Sequence, residues 1–135
     1  MKRSNSRTKA MMKLYSYEIN KGVLPEEIDD VIFEEIGECD EKFSDFLYNG
    51  VLNNIDKIDD IISESLTNYK IYRLSYVDRQ LIRIATFELM NDVNPKTIVI
   101  NEAIELSKKY TQIDNYETSK FNNALLDNIA KYLNK

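Results

Sequence analysis

The chain has 135 residues, 43% of them hydrophobic and 30% charged, with a net charge of −5; that is length enough for one domain with its own core, and too apolar for a disordered segment. It holds no histidine, one cysteine (Cys39) and three scattered glycines (Gly22, Gly37, Gly50), which excludes a histidine base, a Cys/His zinc centre, an intramolecular disulfide and a Gly-rich phosphate loop. No apolar run reaches the roughly 18 residues that cross a bilayer and none follows the basic N-terminus, so neither a membrane span nor a secretory signal is expected, and the lone Cys39, read as a turn residue, fits a reducing cytoplasm.

Apolar residues recur at three- and four-residue spacing almost throughout, and period-two alternation is scarce. The expected fold is therefore all-α, a single compact bundle of about seven helices spanning residues 1–135. The first helix is expected from about Ser4 or Ser6 to Asn20, with Ala10, Met11, Leu14 and Tyr15 on its core face and Gly22 in the left-handed position beyond its end. A second begins at Pro25, carries Glu26 and Glu27 at the positive end of its dipole, buries Ile28, Val31, Ile32 and Ile36, and stops at Gly37. Asp40 caps a third, with Phe43, Phe46, Leu47, Gly50 and Val51 in register; a glycine inside a helix costs about 1 kcal/mol against alanine, so Gly50 marks a close helix–helix approach. A break near Asn54–Asp56 separates it from a fourth helix bearing Ile55, Ile58, Ile62, Leu66 and Tyr69. Ser75-Tyr76-Val77-Asp78 reads as a capping box with Asp78 in place of the usual Glu. In the fifth helix Val77, Leu81, Ile82, Ile84, Ala85, Phe87 and Leu89 spread round most of the circumference, the pattern of a helix buried at the centre. Gln80 and Arg83, off the strictest stripe, read as a solvated face. The sixth helix follows Asn94-Pro95 through Ile98, Ile100, Ala103, Ile104, Ser107 and Tyr110. After a polar loop at 111–117, the seventh starts near Thr118 with Phe121, Leu125, Ile129, Tyr132 and Leu133.

Charge is unevenly placed. Residues 1–17 hold five basic side chains and no acid, residues 18–64 hold 15 acids against three bases, and residues 65–135 are nearly balanced. Phosphate binding needs local positive charge, which only the N-terminal segment offers in concentrated form. The acidic stretch reads first as the solvated faces of helices two to four. Nothing gathers the 23 acidic residues into a motif; a carboxylate metalloenzyme would need them to converge from facing helices, and no metal or cofactor is expected. Composition and periodicity stop at an all-helical domain and leave an RNA adaptor, a regulator and a scaffold open.

Three stretches carry a family resemblance. Arg7-Thr8-Lys9-Ala10-Met11-Met12-Lys13-Leu14-Tyr15 is similar to the basic first helix of the NusB family, which ends in Leu-Tyr. Arg73-Leu74-Ser75-Tyr76-Val77-Asp78-Arg79-Gln80-Leu81-Ile82-Arg83-Ile84-Ala85, continuing to Phe87-Glu88-Leu89, resembles the family's central helix. Ile100-Asn101-Glu102-Ala103-Ile104-Glu105-Leu106, followed by Lys120-Phe121-Asn122-Asn123 and Leu126-Asp127, resembles its C-terminal motifs. The ordered set covers nearly the whole chain. The resemblance implies a helical bundle and a non-enzymatic antitermination factor. Such a factor binds single-stranded boxA-type RNA of ribosomal RNA leaders with the ribosomal protein NusE, and joins an RNA polymerase complex with other Nus factors, as monomer or homodimer.

RNA of this kind is held by cations on phosphates and aromatic rings under bases. Lys2, Arg3, Arg7 and Lys9 are the candidate phosphate contacts; Tyr72 and Arg73, in an aromatic–basic run with Tyr69 and Lys70, are the candidate stacking pair. For NusE the resemblance points to Tyr15, Asp78, Glu117 and Phe121. Asn101 and Glu102 are read as structural. Where the family often carries further arginines this chain has Ser4, Asn5 and Ser6, which keeps a protein-binding helical module or regulator without RNA binding as the alternative.

Overall fold

The computed structural model describes residues 2–21, 35–67, 69–111 and 116–135. Helix α1, Lys2–Ile19, buries Ala10, Met11 and Leu14 on one face. It begins ahead of the expected serines, and Ser6 and Thr8 turn their hydroxyls back onto the Lys2 and Ser4 carbonyls. It ends with Asn20 bonded to the Ser16 carbonyl through both backbone and side chain. The left-handed residue after it is Lys21, at φ 56°, rather than Gly22, which lies outside the described residues. So does most of the helix expected from Pro25; its last residues, Glu35 and Ile36, are helical, and Gly37 follows at φ 101°, as a helix stop requires.

Helix α2, Glu41–Asn53, is capped by Asp40, whose carboxylate accepts from the Phe43 amide at 3.2 Å. The Asp40 amide in turn donates to Ser6 Oγ of α1 at 2.8 Å, so the cap also fixes α2 against α1. Helix α3, Ile55–Ser65, follows a break at Asn54. Asn54 closes α2 by donating its amide to the Val51 carbonyl and its side chain to the Gly50 carbonyl, while its own carbonyl accepts from Ile58 and opens α3. The expected fourth stripe is shorter than read: Leu66 is extended at φ −88°, ψ 131°, and Tyr69 lies beyond the helix. A 3₁₀ turn at Ile71–Arg73, which the periodicity did not show, leads into helix α4, Tyr76–Met90. Helices α5, Lys96–Thr111, and α6, Tyr116–Tyr132, complete six α-helices among the described residues.

Helix α4 packs against every other described helix, and its residues from Asp78 to Leu89 are all buried, as its all-round apolar pattern anticipated. Gly50 of α2 is the close approach: a Cβ there would lie 2.1 Å from the Phe87 ring of α4. Several residues assigned to core stripes are instead exposed, Tyr15, Phe121 and Tyr132 among them. Phe46 is half-exposed at the rim of a ring stack with Phe43 and Phe87. In α5, Val99 takes the buried position and Ile98 faces out. No helix among the described residues is long and apolar enough to cross a membrane.

Candidate RNA and partner interface

Because α4 is central, its polar side chains are buried and must find partners inside the protein. Arg7 of α1 forks onto Glu88, Nε to Oε2 at 2.9 Å and Nη2 to Oε1 at 2.8 Å, with side-chain exposures of 4% and 1%. Its Nη1 reaches Glu102 of α5 at 3.4 Å, and Ser4 Oγ donates to the same carboxylate. Burial pulls the Arg7 pKa down, but the hydrogen bond and charge of Glu88 and the charge of Glu102 outweigh it, so the net shift is upward. Arg7 is therefore a structural cation joining α1, α4 and α5. The expectation that it contacts phosphate is corrected: its donors face two carboxylates and almost none of its surface meets solvent. Glu102 is structural as read, while Asn101 is exposed.

A second network sits in the last turn at the other end of α1. The Glu18 carboxylate accepts from Arg79 Nη1 at 2.7 Å, Gln80 Nε2 at 2.8 Å and Arg83 Nη1 at 3.2 Å. Arg83 also forks onto Asp59 of α3, both bonds at 2.8 Å, and donates to Gln80 Oε1. Burial opposes the Arg83 charge, yet Asp59 and Glu18 together raise its pKa. Gln80 and Arg83 are thus buried network members, not a solvated face. Arg79 donates Nη2 to the Tyr72 and Leu74 carbonyls, and its guanidinium lies 4.9 Å from the ring centres of both Tyr72 and Tyr76.

That arginine organises an aromatic surface. Tyr72 is 71% exposed. Tyr76 meets Tyr15 of α1 edge-to-face at 5.9 Å, and Tyr15 is itself 39% exposed. Arg73 lies over Tyr69 at 5.2 Å, and Tyr69 meets Phe121 of α6 at 5.0 Å. Phe121, 37% exposed, lies at the surface outside the apolar core; Glu117 is exposed in the first turn of the same helix. Tyr15, Tyr72, Arg73 and Phe121 are thus drawn into two linked clusters around the α4 N-terminus. Asp78 stands behind them. Its amide donates to Ser75 Oγ at 3.1 Å, the first half of the expected capping box. Its buried carboxylate, however, accepts from Ser107 Oγ of α5, so it ties α4 to α5 rather than facing out to a partner.

Arg3 lies about 18 Å from Tyr15 along α1, from twelve residues at 1.5 Å rise, and Lys9 about half as far. Arg3 is exposed and stacks on Phe43 at 4.1 Å. Lys2 is 3.6 Å from Glu38, and Lys9 is 2.7 Å from Glu41. The sequence-derived RNA residues therefore divide between two ends of one helix. A groove of about 480 Å³ lined by Lys96, Ile98, Asn101, Asn123 and Asp127 shares no residue with either end. Sequence reasoning missed Glu18, Tyr76 and Arg79. The available signal was Glu18 itself: an acid in the last turn of a helix faces the negative dipole end and needs a tertiary reason.

The described residues form an all-helical domain with exposed aromatic rings, Tyr15 and Tyr72 among them, and the exposed guanidinium of Arg3 on its surface. The chain belongs to the NusB family, whose profile matches residues 4–131. It is 37% identical over 132 residues to the transcription antitermination protein NusB of Exiguobacterium sp., covering 97% of this chain and 98% of that protein. It is 38% identical over 135 residues to that of Clostridium botulinum, covering 97% and 99%. Among solved structures it resembles T. maritima NusB with a TM-score of 0.74 at 34% identity, covering 97% of this chain and 92% of that one. A crystal structure of antitermination factors NusB and NusE in complex with dsRNA matches with a TM-score of 0.70 at 25% identity over 96% of each chain.

Proposed function

We infer that this chain is a transcription antitermination factor that binds boxA-type RNA of ribosomal RNA leaders together with NusE and helps RNA polymerase resist premature termination. The match to family relatives over almost the full length of both chains carries the reading. Its work is binding, without a bond made or broken, by one domain acting in the cytoplasm beside the other Nus factors. Arg3 and Lys2 supply the phosphate contacts, with Lys9 behind them; Tyr72 and Arg73 stack on bases. Tyr15, Phe121 and Glu117 meet NusE, the aromatic pair as anchors, and Asp78 braces the helix that carries Tyr76.

One observation favours the alternative of a module that binds the protein partner alone. Arg7 is buried, and Lys2 and Lys9 lie against carboxylates, so phosphate contacts compete with internal ion pairs. Fluorescence anisotropy with labelled boxA RNA, with and without NusE and against a scrambled strand, separates the two. Tighter binding to boxA in the presence of NusE is expected. Equal binding to both strands, with NusE still bound, would leave the protein-only module.

A further inference from the structure

We propose that Glu18 is the positioning residue of the Tyr72 platform: it holds Arg79 between Tyr72 and Tyr76, and Arg79 fixes the turn that presents Tyr72. The proposal rests on the reading of function given above. Three features of the geometry carry it. Glu18 lies in the last turn of α1, where the dipole disfavours an acid. Nevertheless three donors from α4 converge on its two oxygens within 3.2 Å.

Arg79 then does two things at once. Its Nη2 binds the carbonyls of Tyr72, the middle residue of the Ile71–Arg73 turn, and Leu74, the residue that ends it. Its plane lies near both tyrosine rings at 4.9 Å. A guanidinium can fork and stack simultaneously, which an ammonium cannot. Its Nε is buried with no partner among the described residues, so the group is not held by a full set of hydrogen bonds. Its orientation depends on Glu18 at Nη1 and on the two carbonyls at Nη2. Tyr72 is 71% exposed and has no core packing of its own to fix its ring, so its pose is inherited from Arg79. An aromatic ring fixed beforehand loses less freedom when a base stacks on it.

Glu18→Gln tests this. It keeps the shape of the side chain but places an amide donor where three donors already converge. In the full chain, the ring resonances of Tyr72 and Tyr76 are expected to shift and broaden. With NusE present, boxA affinity should fall roughly five- to tenfold, the lower part of what one base on one ring supplies. In a Tyr72→Ala background the same substitution should cost no further affinity. Asp59→Asn is the control: it breaks the Arg83 fork without touching Arg79, so it should lower the melting temperature and leave RNA affinity unchanged. If Glu18→Gln does not fold, Arg79→Lys takes its place, since it keeps the charge and loses both the stack and the fork.

Unmoved Tyr72 resonances overturn the positioning role, as does an affinity loss that persists in Tyr72→Ala or is matched by Asp59→Asn. A wild-type protein with no preference for boxA RNA overturns the functional reading and with it the RNA role of Glu18. Retained boxA binding with unmoved tyrosines overturns the positioning role alone.

Discussion

Arg7 shows at the scale of one residue why a sequence motif does not state its own role. A basic residue in a basic segment is a natural phosphate contact until the fold places two carboxylates from other helices within reach. Removing one partner of such a buried pair strands the other charge. Glu88→Gln is therefore expected to destabilise the protein by about 3–5 kcal/mol, measured by urea unfolding. The Arg7 pKa is raised, so its contribution is complete at every pH below the arginine's ordinary value and flat across the neutral range. Gly50 is a residue whose sequence reading survived intact. Gly50→Ala adds a methyl that would meet the Phe87 ring at 2.1 Å. Overpacking costs about 1–3 kcal/mol and outweighs the gain of about 1 kcal/mol in helix propensity. A lower melting temperature is the expected result, with a smaller loss when Phe87→Leu is added. Burial and the charge of Glu41 push the Cys39 thiol up against the opposing pull of Lys9, in the irregular segment that leads into α2.

Elements were legible where a local signal had a local cause. Asp40 at the head of α2, the break at Asn54 and the serine at the head of α4 each act within a few residues of themselves, and each stands where the sequence placed it. Asp40→Ala removes the bond to the Phe43 amide and should cost about 1 kcal/mol in the same unfolding experiment; Asp40→Asn, which keeps an acceptor, should cost less. Legibility failed where a neighbour decides. Asp78 fits a capping box by spacing, yet its carboxylate is taken by Ser107 on another helix. Tyr69 continues the spacing of α3 but leaves the helix and pairs with Phe121 of α6. The turn at Ile71–Arg73 has no periodicity of its own, and Arg79 Nη2 holds the carbonyls of Tyr72 within it and Leu74 after it.

Across the whole molecule, the charge pattern of the sequence and the charge surface of the fold differ. The five basic residues of the N-terminal segment do not form one positive face: Arg7 is interior, while Lys2, Lys9 and Lys13 lie near Glu38, Glu41 and Asp45. Arg3, stacked on Phe43, is the exposed guanidinium of the segment. Binding of RNA should consequently depend on salt less steeply than the sequence count suggests. Arg3→Ala is expected to flatten the slope of log K against log salt by about 0.7, one phosphate contact on a single strand. An unchanged slope would place the phosphate contact elsewhere.

Helical class, the central place of α4, the tight contact at Gly50 and membership of the NusB family were determined by the sequence alone, because each rests on spacing or residue type read along the chain. The tertiary structure decided which charges are interior and which aromatic rings meet. It joined Arg7 to Glu88 and Glu18 to Arg79, pairs separated by 81 and 61 positions. Burial makes such pairs compulsory, since a charge taken from water must be matched, but only the packing of α1 against α4 says by which partner.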